Sequence, residues 1–495
     1  MVRTPLKLQH TGHRIAVIFG LAIFAGVSAG LLLFGNTFPL LLVAGGACTV
    51  IAVGIVVFLL QRPLIAFYVG LFFFLFPFGL RPPLPDPIND SVCDGAMALA
   101  LLAWMLHAPS KRSPIVWNSV YILLFLYIMW ATVTLLWAPD LIAGKKKLVS
   151  YCIGLNMLFL IVNQVTSLKA VDGFMRVMAL VGWTMVIVGS VSILDSGFQF
   201  GERLKIVGMN ENALGYYFTV LLPGAIWPVL RSSGLMRLLH MALSIMFIIG
   251  GLILILASGS RGSSLSLVVM LLAFWFWKPL RPWGIVGAML VAGTVLFAPF
   301  LLDSLNNRLG DVGGSEVGGR DLLWTAGLHL ILDYPLIGVG VGNGVYELPR
   351  YVAAVTSHFD KHDFLAAHNP LIEVTIDLGF IGLLMFIAIL VSALKQFIQW
   401  RRDLRLREGP IAAYFPIVLV SVAGYFASFF KDGGLDLHPT YILVLGLLVV
   451  PRRAFPRDGL AANRREDVLR QRAPTAWVRS PAALSQKRTS SCEKT

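Results

Sequence analysis

Three side chains in this chain stand where apolar segments break, and their types suit anion binding and proton transfer. Arg261 lies in "SGSRGSS", Arg320 follows "GGSEVGG", and His368 opens "HNPLIEV". A guanidinium holds two phosphate or carboxylate oxygens in a planar fork and stays charged, so an arginine flanked by glycine and serine is suited to anions. Arg320 is expected to open a helical run from Asp321 to Asp333, where neighbouring backbone amides could share its anion. Each arginine also has a plainer reading. Arg261 could snorkel to lipid headgroups, and Arg320 could be a surface cation partnered by Asp321 or Glu316.

His368 gains most from its neighbours. Asn369 is a good helix N-cap, Pro370 suits the first helical position, and Glu373 falls in the first turn, so a helix start is well signalled. His368 then sits beside the partial positive end of that helix, which disfavours the imidazolium. A neutral imidazole can accept a proton, so the residue types allow a general base. The plainer alternative is an interfacial histidine without chemistry. Asn369 is explained by capping alone.

The elements that must position these groups are set by composition. Of 495 residues, 57% are hydrophobic and 13% charged, and the mean hydropathy is +0.78, which a water-facing surface does not allow. Roughly fourteen apolar stretches are long enough to cross about 30 Å of hydrocarbon, with some short ones ambiguous. All should be helices, because an open strand cannot satisfy its backbone in lipid. The expected fold is therefore an all-α, polytopic transmembrane bundle of about 12–14 spans with one large outer loop. Its organisation reads as N-terminal transmembrane helices over 1–302, a large loop with short helices over 303–370, C-terminal transmembrane helices over 371–450, and a disordered basic tail over 451–495. The apolar stretch from Ile15 to Phe34 reads as a retained span rather than a cleaved signal.

The net charge of +14 collects in short loops and in the tail, as cytoplasmic retention of positive charge produces, so nucleic-acid binding is not implied. Starting inside, alternation puts Lys169, Arg176, Arg231, Arg237, Lys278, Arg281 and the basic run from Lys395 in the cytoplasm. It leaves 201–212, 258–264, 303–370 and 431–439 on the outer face. Lys145, Lys146 and Lys147 break the pattern by landing outside, which makes that loop an exception or a span miscounted.

Several tempting motifs are declined. "GVGVGNG" from Gly338 imitates a dinucleotide fingerprint but lacks a strand-helix-strand unit, so a close-turning loop is expected. "HFDKHD" from His358 lacks a third metal ligand, no serine nucleophile has partners, and the four cysteines have no paired spacing. A solute transporter stays as the alternative of another class, weakened because the spans lack mid-membrane ionisable residues.

Four stretches, in this order, resemble the O-antigen ligase and O-antigen polymerase family of bacterial membrane glycosyltransferases: "RLKIVGMNENALGYYFTVLLP", "SGSRGSSLSL", "GRDLLWTAGLHLILDYPLIGVGVGNG" and "AHNPLIEVTIDLGFIGLLMF". The pair formed by Arg-x3-Trp leading to Pro-x2-Gly-x-Gly, followed by His-Asn with Gly-x2-Gly, carries most of the specificity. The resemblance implies an enzyme of the bacterial inner membrane, with its active site facing the periplasm. It would transfer a glycan from undecaprenyl diphosphate to a sugar hydroxyl on the lipid A core, or to another glycan in the case of a polymerase. The implied chemistry is inverting, with no cofactor and no metal. By motif position, His368 would be catalytic, and Arg261 and Arg320, with Arg203 and Lys205 as further contributors, would engage the donor diphosphate. Charge accumulating on such a leaving group has to be met by fixed cations and backbone donors, which the arginines suit.

Overall fold

Backbone in hydrocarbon has no water to bond with, and the chain answers this with helices throughout. The structure is a computed structural model describing residues 52–76, 86–107, 115–195, 204, 213–297, 315–355, 365–404, 410–429 and 438–454, and no strand occurs among them. In chain order the helices are α1 (Ala52–Gln61), α2 (Pro63–Leu75), α3 (Asp86–His107), α4 (Ser119–Val133), α5 (Leu141–Gln164), α6 (Leu168–Asp195), α7 (Ala213–Arg231) and α8 (Gly234–Ala257). They continue with α9 (Arg261–Trp275), α10 (Arg281–Phe297), α11 (Ser315–Asp333), α12 (Gly344–Val355), α13 (Pro370–Leu404), α14 (Pro410–Phe429) and α15 (Pro439–Ala454).

Among the described residues, seven helices are long and apolar enough to cross a membrane: α4 through α8, α13 and α14. An eighth candidate is the pair α1 and α2, bent by 118° at Arg62. Shorter apolar helices lie within α3, α9 and α15. The chain is an all-α, multi-pass membrane protein. The expected span at 15–34, most of that at 38–60, the stretches 303–314 and 356–364, and the tail from 455 lie outside the described residues.

The centre of the bundle is α7, whose side chains are buried along nearly its whole length. Helices approach it closely where small residues meet, since removing side chains lets backbones pack. A methyl group on Gly215 would lie 2.5 Å from Ser263 of α9, and one on Gly224 would lie 2.5 Å from the Ala179 amide of α6. The Ser421 hydroxyl of α14 donates to the Thr219 carbonyl of α7.

Aromatic contacts fix which helix ends lie together. Trp400 near the end of α13 packs on Tyr414 near the start of α14 at 5.8 Å, while Phe386, earlier in α13, stacks on Phe429 at the end of α14 and on Tyr441 at the start of α15. His438, just before α15, meets Tyr216 and Tyr217 at the start of α7. Gly215 in turn touches Ser263 at the start of α9. The N-terminal ends of α7, α9, α13 and α15 therefore share one end of the bundle.

The opposite end carries the Arg231–Asp172 ion pair, 3.1 Å, and Arg401 over the Phe415 ring. This is the segregation that charge alternation predicts, with Arg231 and Arg401 at one end and Arg261 and His368 at the other. The start of α5, which carries the anomalous lysines, packs at the second of these ends. A methyl on Gly342 would lie 3.1 Å from both the Ala143 carbonyl and the Lys147 Cβ. The lysine run therefore lies beside the glycine turn from Gly338.

Candidate functional site

The scaffold of the site is a turn docked onto a broken helix. The helix that starts at Pro370 is not continuous: α13 is broken at Gly379, where φ is 67° and ψ is −173°. That is glycine territory, and a side chain there would also collide with the Leu336 carbonyl. The glycine stretch from Gly338 fits against the break with φ of 67°, 108° and 72° at Gly338, Gly340 and Gly342, so it is the close-turning loop expected. The Val339 amide donates to the Ile376 carbonyl at 2.9 Å, Gly340 to Asp377 at 3.0 Å, and Phe380 to Pro335 at 2.8 Å.

Side chains complete this joint. The Asp377 carboxylate, nearly buried, accepts from the Gly342 amide at 2.9 Å and the Gly344 amide at 2.7 Å. Asn343 accepts from the Asp140 amide at 2.7 Å and donates to the Val341 carbonyl at 3.0 Å. Trp130 and Trp137, near the end of α4, donate to the Leu378 and Gly338 carbonyls. Residue type alone did not single out Asp377 and Asn343. The usable signal was an acid two residues before a glycine inside an apolar run.

The residues before α13 follow the expected helix start. The Asn369 side chain accepts from the Leu371 amide at 3.0 Å, and the Glu373 amide donates to the Asn369 carbonyl. The Glu373 carboxylate reaches back to accept from the His368 amide at 3.1 Å. His368 has φ of 51°, the one positive value at a non-glycine among the described residues. Such a conformation costs on the order of 1–3 kcal/mol and is held only where the surroundings determine it.

Two features of α11 govern His368. Trp324 donates its indole N–H to the Ala367 carbonyl at 2.9 Å, fixing the residue before the histidine. Arg320 lies one turn earlier on the same face and close enough for its charge to act on the imidazole. Burial first, and the Arg320 guanidinium second, hold the His368 pKa below its ordinary value, so the neutral ring is favoured. Arg320 itself departs from expectation: α11 begins at Ser315, so Arg320 lies in its second turn. Its backbone amide is inside the helix ladder and not offered to an anion. Ala326, Leu330, Leu348, Val352, Ala367 and Ile376 form a small core that locks α11 and α12 onto the start of α13.

Arg261 is the first residue of α9, half-buried at the same end of the bundle. The Ser260 hydroxyl caps that helix by accepting from the Ser263 amide at 3.2 Å, and Ser258 accepts from the Ser260 amide. The buried Leu204 donates to the Ala257 carbonyl at 3.0 Å, just before this turn. Arg203 and Lys205 lie outside the described residues, as do His358 and His362.

Beside His368 a cavity of about 340 Å³ opens between the start of α5, the glycine turn and the start of α13. Its lining includes Lys146, Lys147, Tyr346, Ala367, Glu373 and Asp377.

Comparison with known proteins matches residues 245–387 to the family described as O-antigen ligase. The chain is also similar to the teichuronic acid biosynthesis protein TuaE of Bacillus subtilis (strain 168), with 25% identity over 346 residues, covering 61% of this chain and 67% of that protein. The matched region holds Arg261, Arg320, Trp324, His368 and the Gly379 break, while Trp130, Trp137, Asp140 and the lysines of α5 lie outside it. The chain is a multi-pass membrane protein whose residues 245–387 match the O-antigen ligase family.

Proposed function

We propose that this protein is a polysaccharide-building glycosyltransferase that moves a glycan from undecaprenyl diphosphate to a sugar hydroxyl on the periplasmic side of the bacterial inner membrane, with the lipid A core as acceptor. The observation that carries this reading is the placement of His368, kept neutral by burial and by Arg320. A base beside a cation is what such a transfer asks for.

In the step, an acceptor hydroxyl oxygen bonds to the anomeric carbon while the bond from that carbon to the diphosphate oxygen breaks. The hydroxyl proton goes to His368, and undecaprenyl diphosphate leaves with the electron pair. Attack opposite the leaving group inverts the anomeric centre. Arg320 and Arg261, with Arg203 and Lys205 as further contacts, would meet the charge on the diphosphate. General-base assistance of this kind typically contributes about 10²–10⁴-fold. The residues proposed for the step are all side chains of this chain, and the reading calls on no cofactor or metal.

A second reading within the same chemistry is a polymerase extending an O-antigen, capsule or exopolysaccharide chain. It is favoured by the similarity to TuaE, whose name places that protein in teichuronic acid biosynthesis. The transporter reading loses ground because Asp377, a carboxylate inside a candidate span, is occupied by two backbone amides. Deleting the gene and separating surface glycans by gel tests these readings. Lipid A core without long glycan, and glycan stranded on the lipid carrier, supports the ligase. Core bearing a single repeat, or unchanged lipopolysaccharide with exopolysaccharide lost, supports the polymerase. An unchanged glycan profile would overturn both.

A further inference from the structure

The lysine run that breaks the charge pattern has a structural place. Lys146 and Lys147 lie in the second turn of α5 and line the 340 Å³ cavity together with Tyr346, Glu373 and Asp377. Three features set its chemistry. Lys146 and Lys147 are consecutive on α5, with the Lys147 Cβ packed against Gly342 and its Nζ 5.8 Å from the Tyr151 ring centroid. The start of α13 supplies two carboxylates, Asp377 engaged with the Gly342 and Gly344 amides and Glu373 with the His368 amide. Tyr346 supplies an exposed aromatic ring at 38% accessibility.

A lipid phosphate brings only acceptor oxygens to this lining and has no donor for the two carboxylates, which repel it. A sugar that carries an acid group fits the mixture. Its hydroxyls can donate to carboxylate oxygens, its ring can lie on an aromatic face, and its own anion can meet the lysines. The volume falls at the low end of the roughly 300–1,000 Å³ of small-ligand sites, which suits a sugar-sized group. The cavity also touches the base: Ala367 and Glu373, which line it, are the residues that hold the His368 backbone from either side.

We infer that this cavity is a subsite for an acidic sugar, one bearing a carboxylate or phosphate, in the glycan that is presented to His368, with Lys146 and Lys147 as the residues that select it. The inference rests on the transferase reading for the identity of the glycan as acceptor, but acid recognition is a binding property that needs no turnover.

The test uses the purified full-length protein in phosphatidylcholine nanodiscs, with tetragalacturonic acid and its methyl ester as probes, followed by ligand-observed NMR titration. The expected result is that the acid binds roughly tenfold more tightly than the ester, as two partly exposed charge contacts would give. Lys146→Gln with Lys147→Gln should remove the preference, Lys146→Arg with Lys147→Arg should keep it, and His368→Ala should leave it unchanged. Equal binding of acid and ester, or a preference that survives the double glutamine substitution, would overturn the inference. So would loss of the preference when phosphatidylglycerol replaces phosphatidylcholine, because the lysines would then serve the lipid headgroup. A glycan phenotype that persists in His368→Ala cells bears on the transferase reading and leaves this binding result standing.

Discussion

The Trp324 indole donates to the Ala367 carbonyl at 2.9 Å, and this bond joins the two most specific sequence motifs of the chain. Trp324 is four residues after Arg320, so both lie on one face of α11. Ala367 immediately precedes His368. One hydrogen bond therefore sets the spacing between a cation and the candidate base.

Trp324→Phe keeps a large ring in the cap but loses the donor. A hydrogen bond of this kind is worth about 1 kcal/mol, so transfer in isolated membranes should fall by about fivefold with protein level little changed. If Trp324→Phe transfers at the native rate, the bond does not position His368.

The pH dependence follows from the lowered His368 pKa. Because the folded value lies below the unfolded 6.5, the unfolded chain binds the proton first as pH falls, so stability from the neutral ring is present above 6.5 and eroded below it. Activity needs that same neutral ring, which places the acidic limb of kcat/KM below pH 6.5. Arg320→Gln removes the repelling charge and should move the limb of the residual activity upward. Burial, the larger cause, remains and keeps the limb below 6.5. An unmoved limb would separate Arg320 from the imidazole.

Asp377 predicts a structural failure in place of a chemical one. Its carboxylate accepts two backbone amides, each charge-assisted bond being worth about 1.5–3 kcal/mol. Asp377→Leu should therefore lower the melting temperature of detergent-solubilised protein and reduce its yield, and Asp377→Asn should do so by less. Gly379→Ala should fail similarly, since the positive φ and the Leu336 carbonyl both reject a side chain. Native melting for either variant would mean that the break in α13 does not depend on this joint.

How much of this was legible in the sequence differs by residue. The membrane class and the helix start at Asn369–Pro370 follow from composition and capping, which are local and need no partner. The break at Gly379 was hidden because an apolar run with one glycine reads as an ordinary span, and only the glycine turn from Gly338, some forty residues away, makes the break necessary. Arg320 was given the wrong local role, because Gly313–Gly319 looks too glycine-rich to be helical and α11 nonetheless starts at Ser315. Lys145–Lys147 showed as an anomaly of charge, and the Gly342 packing that sets them beside the glycine turn depends on a long-range contact.

The arginine roles separate by chemistry from mere charge. Arg261→Lys and Arg320→Lys keep the positive charge but lose the planar fork, so each should raise the KM for a lipid diphosphate-linked glycan about tenfold, with the larger loss on Arg→Ala. Equal activity of the lysine and arginine forms would reduce these residues to general electrostatics.

The most direct test of the central claim is single-turnover glycan transfer by the purified protein reconstituted with an undecaprenyl diphosphate-linked glycan and its acceptor, comparing native protein with His368→Ala and His368→Gln. The account predicts a fall of about 10²–10⁴-fold in the chemical step for both variants, with donor binding retained because the arginines are intact. Native single-turnover rates in a folded His368→Ala protein would contradict it.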